Sequence, residues 1–208
     1  MDVAVIAIDL HRGHLDPKVA TLPLEPEAAR TVVTRSAAFF EGCRERGIPI
    51  IHLVTRYRDQ AEILANPAWL RRSQDPQSTR KNMANHNIVG MPGIEIMPEL
   101  WRPGDVRVDT KKRYDCFIGT DLDFVLQGRG IREVWMTGVN TNSCVLATSI
   151  QASVRDYDVA VVSDCVDSMD GEEFHHNALQ ILGRAFTEVH TGQELLAAFD
   201  ERRETVKS

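Results

Sequence analysis

The chain has 208 residues, with 24 Lys and Arg against 30 Asp and Glu, for a net charge of −6. That length suffices for one α/β domain with a full core, and the acidic balance argues against a nucleic-acid binder, which carries a basic stripe. No apolar run approaches the roughly 20 residues of a membrane span, and Cys43, Cys116, Cys144 and Cys165 form no Cys-X-X-Cys pair, so neither a zinc ribbon nor a redox dithiol is indicated.

The opening MDVAVIAIDL lacks a basic leading region and a small-residue cleavage site. It reads as a strand from Val3 to Ile8, buried on both faces and closed by Asp9, in a chain expected in the cytoplasm. Pro26 to Arg46 reads as a helix, with Pro at its start, apolar residues at Ala29, Val32, Val33, Ala37 and Phe40, and Gly47 as its stop. Pro49 to Val54 is a second strand. The stretch from Arg56 to Pro103 is long, irregular and proline-interrupted, with a helical patch over Glu62 to Arg71. Such a length implies a pocket wall or an oligomer contact.

Val106 to Asp109 is a third strand and Asp121 to Gln127 a helix. Glu133 to Val139, a strand, leads into a helix over Ser143 to Arg155. Val159 to Ser163 and Ala185 to His190 are further strands, with helices over Glu172 to Gly183 and Gln193 to Phe199. The charged tail from Asp200 to Ser208 is expected to fray. This alternation predicts a single domain over 1–208: a three-layer α/β/α, Rossmann-like fold around a central, mainly parallel six-stranded sheet.

In such a fold, ligands bind beyond the carboxyl ends of the strands. The residues there are Asp9, His11 and His14, then Thr55, Arg56 and Tyr57, then Lys111, then Asn140, Thr141 and Cys144, then Asp164 and Cys165. Cys144 ends the polar turn Gly138-Val-Asn-Thr-Asn-Ser-Cys144, where a strand gives way to a helix. Free N–H groups and the positive end of the helix dipole favour a thiolate there and can hold an oxyanion. Asp9 can take the thiol proton and return one to a leaving amine. Lys111 can hold both by charge, and the backbone N–H groups of Cys144 and Asn140 can form the oxyanion hole.

Plainer roles compete with these. An aspartate at a strand end is as often a cap, and Lys111 leads a basic run, Lys111-Lys112-Arg113, of the kind that faces solvent. Cys43 reads as packing, Cys116 and Cys165 as pocket lining at most, and His11, His14, His52 and His86 as structural or pocket residues. Candidate substrate contacts are His11, Arg56, Tyr57, His86, Phe117, Asn140 and Thr141. Arg56 suits a carboxylate or a carbonyl-rich ureide. No Gly-X-Gly-X-X-Gly, Walker loop or Gly-X-Ser-X-Gly elbow is present, which disfavours dinucleotide binding, a P-loop and serine hydrolase chemistry.

Four segments together resemble the isochorismatase-like cysteine hydrolases: VAVIAIDLHRGHL, TKKRYDCFIGTDLDFVLQGRGI, VWMTGVNTNSCVLATSIQA and DVAVVSDCVDS. The resemblance runs nearly end to end. It implies a catalytic triad of Asp9, Lys111 and Cys144, the lysine lying six positions before Phe117. It also implies a cis peptide at Val139–Asn140, and a homodimer or homotetramer whose pocket can borrow residues from a neighbour. His11 and Leu15 stand where the family has Gln and Phe, and Asp115-Cys116-Phe117 where it has Ser-Ala-Phe or Gly-Ala-Phe. Nicotinamidases carry an Asp-X-His metal set after strand two; here that stretch is His-Leu-Val-Thr-Arg-Tyr, so neither a metal nor a cofactor is expected. Vinyl-ether cleavage by true isochorismatases needs no cysteine, so Cys144 favours C–N cleavage of a small carboxamide or N-carbamoyl compound through a thioester, with release of ammonia. A vinyl-ether hydrolase or a non-catalytic scaffold is the alternative.

Overall fold

A computed structural model describes residues 2–207. Six parallel strands, β1 (Val3–Ile8), β2 (Ile50–Thr55), β3 (Val106–Lys111), β4 (Glu133–Val139), β5 (Asp158–Asp167) and β6 (Glu188–His190), form one sheet in the order β3-β2-β1-β4-β5-β6. The expected sheet is thus present and wholly parallel. The strand order reverses between β1 and β4, which creates a crevice beyond their carboxyl ends.

The helices are α1 (Arg12–Leu15), α2 (Pro26–Glu45), α3 (Gln60–Leu64), α4 (Pro67–Gln74), α5 (Leu122–Gly128), α6 (Leu146–Ser153), α7 (Glu172–Ala185) and α8 (Gly192–Lys207). Alternation along β1 shows why its apolar run is continuous. Val3, Val5 and Ala7 face one core with Val32, Phe39, Phe40 and Cys43 of α2 and Leu195 and Phe199 of α8. Ala4, Ile6 and Ile8 face a second core with Leu122 and Leu126 of α5, Ala152 of α6 and Leu182 of α7. A strand with helices on both sides has no face left for a polar residue.

Several expected boundaries move. The patch over Glu62 to Arg71 is two helices, because Asn66 caps α4 by accepting from Ala68 N and Trp69 N, and Pro67 begins it. Strand β5 continues past Ser163, so Asp164 and Cys165 lie within it rather than beyond it. The last strand starts at Glu188 because α7 runs on through Ala185. The tail expected to fray is helical through Lys207. Its charges are partnered: Arg46 Nη2 meets Asp200 Oδ2 at 2.6 Å, and Arg202 Nη1 meets Glu133 Oε2 at 2.8 Å. No helix among the described residues is long and apolar enough to cross a membrane.

The irregular stretch after β2 folds back over the carboxyl edge. Isolated bridges pair Tyr57 with Ile88 and His11 with Ile96. Leu22, Tyr57, Ile63, Trp69 and Met83 form a third apolar cluster beneath it. It is therefore a wall over the strand ends, one of the two roles expected for it.

Candidate active site

Asp9 closes β1 with φ +53°, a left-handed conformation uncommon outside glycine. Its Oδ1 accepts from Thr55 N at 3.0 Å and Thr55 Oγ1 at 2.7 Å, both at the end of β2. Its Oδ2 accepts from Lys111 Nζ at 2.6 Å. Lys111 ends β3, opposite Thr55, after a register shift between Leu53 and Thr55. Successive strand residues point to opposite sides, so Lys111 is buried in the site while Lys112 Nζ reaches the Arg56 carbonyl and Glu62. The basic run thus divides between the two faces.

Beyond β4, Thr141–Val145 form a single π-helical turn, with Val145 N donating to Asn140 O at 3.2 Å. Cys144 is the fourth residue of that turn, not the first of a helix. Single π turns of this kind occur often at functional sites. The peptide between Val139 and Asn140 is cis, as the resemblance implied. Lys111 Nζ lies 3.3 Å from Cys144 Sγ and 2.6 Å from Thr55 Oγ1. Asp9, Lys111 and Cys144 therefore meet at one ammonium. Thr55 buttresses them, a role the sequence reading did not assign.

The charges settle each other. Burial by itself would raise the Asp9 carboxyl, but the Lys111 charge and the bond from His11 outweigh it and hold it well below the usual carboxylate range. Burial would lower Lys111, but Asp9 and Cys144 hold it well above its ordinary value. Burial pushes the Cys144 thiol up to about 12, with Lys111 opposing and Asp9 adding, by charge and as hydrogen-bond acceptor. The resting site is thus carboxylate, ammonium and neutral thiol. Deep burial, with a carboxylate nearby, opposes the thiolate that a helix N-terminus would favour.

A narrow cavity of about 20 Å³ opens onto the triad. That is room for about one water-sized molecule. Asp9, Lys111, Cys144, Thr55, Asn140, Tyr57, His14 and His86 border it, and Trp69, Arg80, Arg113 and Tyr114 form its far wall. Of the expected substrate contacts, Tyr57, His86 and Asn140 do line it. His11 is wholly buried just behind, its Nε2 3.4 Å from Asp9 Oδ1.

Arg56, Phe117 and Thr141, like His11, do not line the cavity. Arg56 turns away to Asp109 at 2.6 Å. Phe117 is buried against Tyr157 and Arg155 in the second core. Thr141 Oγ1 is bonded to His175 Nδ1 at 2.9 Å on α7. Its neighbours are structural pins too: Asn140 Oδ1 accepts from Met169 N at 2.8 Å, and Asn142 Nδ2 donates to Asp170 Oδ2 at 2.7 Å. Cys43, Cys116 and Cys165 are free, buried and outside the cavity lining. His52 lies away from it, beside Asp105, Phe40 and Trp101. The wall residues Trp69, Arg80, Met83, Arg113 and Tyr114 escaped the sequence reading, because a short helix and the loops around it carry too little periodicity to place them.

The expectation of no metal rested on the stretch His52 to Tyr57. His11, His14 and His86, from other parts of the chain, are all buried and each brings one ring nitrogen within 4.8 Å of the other two. Burial, with the neighbouring imidazoles, pushes His14 down to about 3 and His86 well below the ordinary imidazole value, so both are neutral.

A family model described as the isochorismatase domain matches residues 3–194. Ureidoacrylate amidohydrolase RutB of Caulobacter segnis is 26% identical over 206 residues, spanning 95% of this chain and 86% of that protein. Maleamate amidohydrolase of Pseudomonas putida is 23% identical over 178 residues, spanning 86% of this chain and 78% of that protein. The structure of an isochorismatase family protein from Burkholderia thailandensis superposes with a TM-score of 0.78 at 31% identity, covering 96% of each chain.

Proposed function

Because this chain belongs to the isochorismatase family of hydrolases, we propose that it is a cysteine amidohydrolase. It cleaves the C–N bond of a small carboxamide or N-carbamoyl (ureido) compound and releases ammonia. The observation that carries this is the placement of Lys111 Nζ 2.6 Å from Asp9 and 3.3 Å from Cys144 Sγ. It brings a nucleophile, a proton acceptor and a fixed positive charge together at one cavity. The C–N hydrolase names of the ureidoacrylate and maleamate relatives support the bond type.

The proposed steps follow from the resting charges. A substrate carbonyl seated at Cys144 draws the thiol proton onto Asp9 as sulfur bonds to the carbonyl carbon. Lys111 keeps the developing thiolate close to neutral in net field. The negative oxygen is held by the backbone N–H groups of Cys144 and Asn140, each such donor typically worth about 3–4 kcal/mol of barrier. As the tetrahedral centre collapses, the C–N bond breaks and the nitrogen takes the proton from Asp9, leaving as ammonia. Water then attacks the thioester, gives its proton to Asp9, and the thiol is restored. These steps use the triad alone and draw on no cofactor.

Arg80 and Arg113, not Arg56, are the guanidinium groups at the cavity wall. They suit a substrate with a carboxylate or several carbonyl oxygens beyond the scissile bond. The narrowness of the cavity implies that the wall carrying Trp69, Arg80 and Met83 yields when substrate enters. We expect a homodimer or homotetramer acting on a small molecule in the cytoplasm, without nucleic acid or membrane.

The decisive experiment is ammonia release from a panel of biuret, triuret, N-carbamoyl amino acids, maleamate, ureidoacrylate analogues and nicotinamide, with wild type beside Cys144→Ala. Release abolished in the variant supports the thiol route. Activity surviving Cys144→Ala, or found only on vinyl ethers, overturns it. Inactivity of folded wild type on amides and vinyl ethers alike would support a scaffold role.

A further inference from the structure

We infer that His11, His14 and His86 form a binding site for one first-row divalent cation, best suited to zinc, on the wall of the catalytic cavity. His11 and His14 follow β1, and His86 comes from the wall over the strand ends. None belongs to the stretch His52 to Tyr57.

The ring geometry carries the inference. Centroid separations are 5.0 Å for His11–His14, 4.7 Å for His14–His86 and 5.6 Å for His11–His86. Three imidazoles bound to one tetrahedral ion at about 2.0–2.1 Å per nitrogen have centroids roughly 5 Å apart and nitrogens roughly 3.4 Å apart. The observed nitrogens, within 4.8 Å of one another, need close by at most about 1.4 Å on binding.

His14 and His86 also have the outer partner that a histidine ligand uses to fix its orientation. His14 Nδ1 lies 2.6 Å from Leu22 O. A carbonyl only accepts, so Nδ1 carries the proton and the Nε2 lone pair is left to the cavity that His14 lines. His86 Nδ1 is 2.9 Å from Thr21 Oγ1. His11 differs: its Nε2 accepts from Asn87 Nδ2 at 2.9 Å and lies 3.4 Å from Asp9 Oδ1, so Asn87 must release it when His11 joins the ion.

The donor set selects the ion. Three imidazole nitrogens suit zinc and its neighbours in the first row, and give hard calcium or magnesium nothing to bind. Three protein ligands leave a fourth position open, the pattern of a zinc that takes up water or substrate. His14 and His86 border the same cavity as Cys144, so that position is placed to accept an oxygen or nitrogen of the bound molecule, away from the bond that is cleaved. The site stands whichever bond the triad breaks.

The test uses the full chain, stripped with chelator. Calorimetric titration with Zn²⁺ should give one equivalent per chain, and Co²⁺ should give the visible bands of a tetrahedral ion. In His86→Gln and His14→Gln, with folding verified by near-ultraviolet circular dichroism, affinity should fall at least 100-fold. Cys144→Ser should retain both the stoichiometry and the Co²⁺ bands. Absence of stoichiometric binding in wild type would overturn the proposal. Undiminished binding in both histidine variants would do the same, as would a Co²⁺ site lost with Cys144→Ser.

Discussion

Arg80 Nη1 donates to Asp170 Oδ1 at 2.6 Å, joining residues 90 positions apart. Arg80 belongs to the cavity wall. Asp170 follows β5 and also accepts from Thr79 Oγ1 at 2.6 Å and from Asn142 Nδ2 at 2.7 Å. One carboxylate thus ties the wall of the cavity to the turn that presents Cys144. Burial alone would raise Asp170, but the bonds from Arg80, Thr79 and Asn142 hold it below its usual value.

Asp170→Asn should therefore disturb both sides. The expected loss is about 1–3 kcal/mol of stability, the range for removing a partner from a largely buried polar group. A fall in kcat/KM should accompany it. Urea unfolding and steady-state kinetics on the substrate found in the panel check this. An unchanged kcat/KM with lowered stability would show that the tie supports the fold and not the site.

The neutral resting thiol has a direct consequence. With Cys144 pushed up to about 12, its alkylation by a small thiol reagent in the absence of substrate should rise about tenfold per pH unit between pH 7 and 9 without levelling. Peptide mass spectrometry separates it from the other three cysteines. A plateau near neutrality would mean that the thiolate is already formed in the free enzyme.

Gly138 cannot carry a side chain. Its φ is +109°, and an added Cβ would fall 1.9 Å from Ile8 O, backbone of the strand that ends in Asp9. Gly138→Ala must therefore push β4 from β1 at the point where the two strands lead into Asp9 and the turn carrying Cys144. A loss of about 3 kcal/mol or more is expected, read by chemical denaturation. A loss within a few tenths would mean that the two strands separate easily.

Acid stability should depend on Asp105, which meets Arg44 Nη2 at 2.7 Å and His52 Nε2 at 3.4 Å. Burial would raise it, but the bonds from His52, Arg44 and the Arg102 N–H lower it to about 2. A carboxyl depressed in the folded state stabilises the fold above its unfolded pKa of about 3.9. That contribution is lost as pH falls from about 4 to about 2. Asp105→Asn should lower stability at pH 7 and flatten the decline between pH 4 and 2. An acid limb identical to wild type would assign that decline to other carboxylates.

The strands were legible because burial on both faces leaves an unbroken apolar run, as in β1 and β4. Asp9, Lys111 and Cys144 were drawn together in the sequence because they sit at strand ends, where a parallel sheet places its ligand, and the family resemblance singled them out as a triad. Boundaries failed where local chemistry outweighed pattern: at the Asn66-Pro67 cap that divides α3 from α4, and at α8, whose charged end is held by Arg46 and Glu133. Arg56 and Phe117 were misplaced because a position in sequence near a strand end does not say which way a side chain turns.

The sequence by itself determined the alternation of strand and helix, and with it the parallel sheet and the edge where chemistry gathers. Those follow from short-range rules: apolar periodicity, caps and turn residues. Tertiary structure supplied the physical reason that Lys111, the lysine the resemblance implied, and not Lys112 enters the site: a register shift between β2 and β3 sets that side. It also decided that Cys144 rests as a buried thiol, since the charge of a group depends on neighbours brought from over a hundred residues away. The meeting of His11, His14 and His86 was decided there too, because only the return of the 56–103 wall across the strand ends places His86 beside the other two.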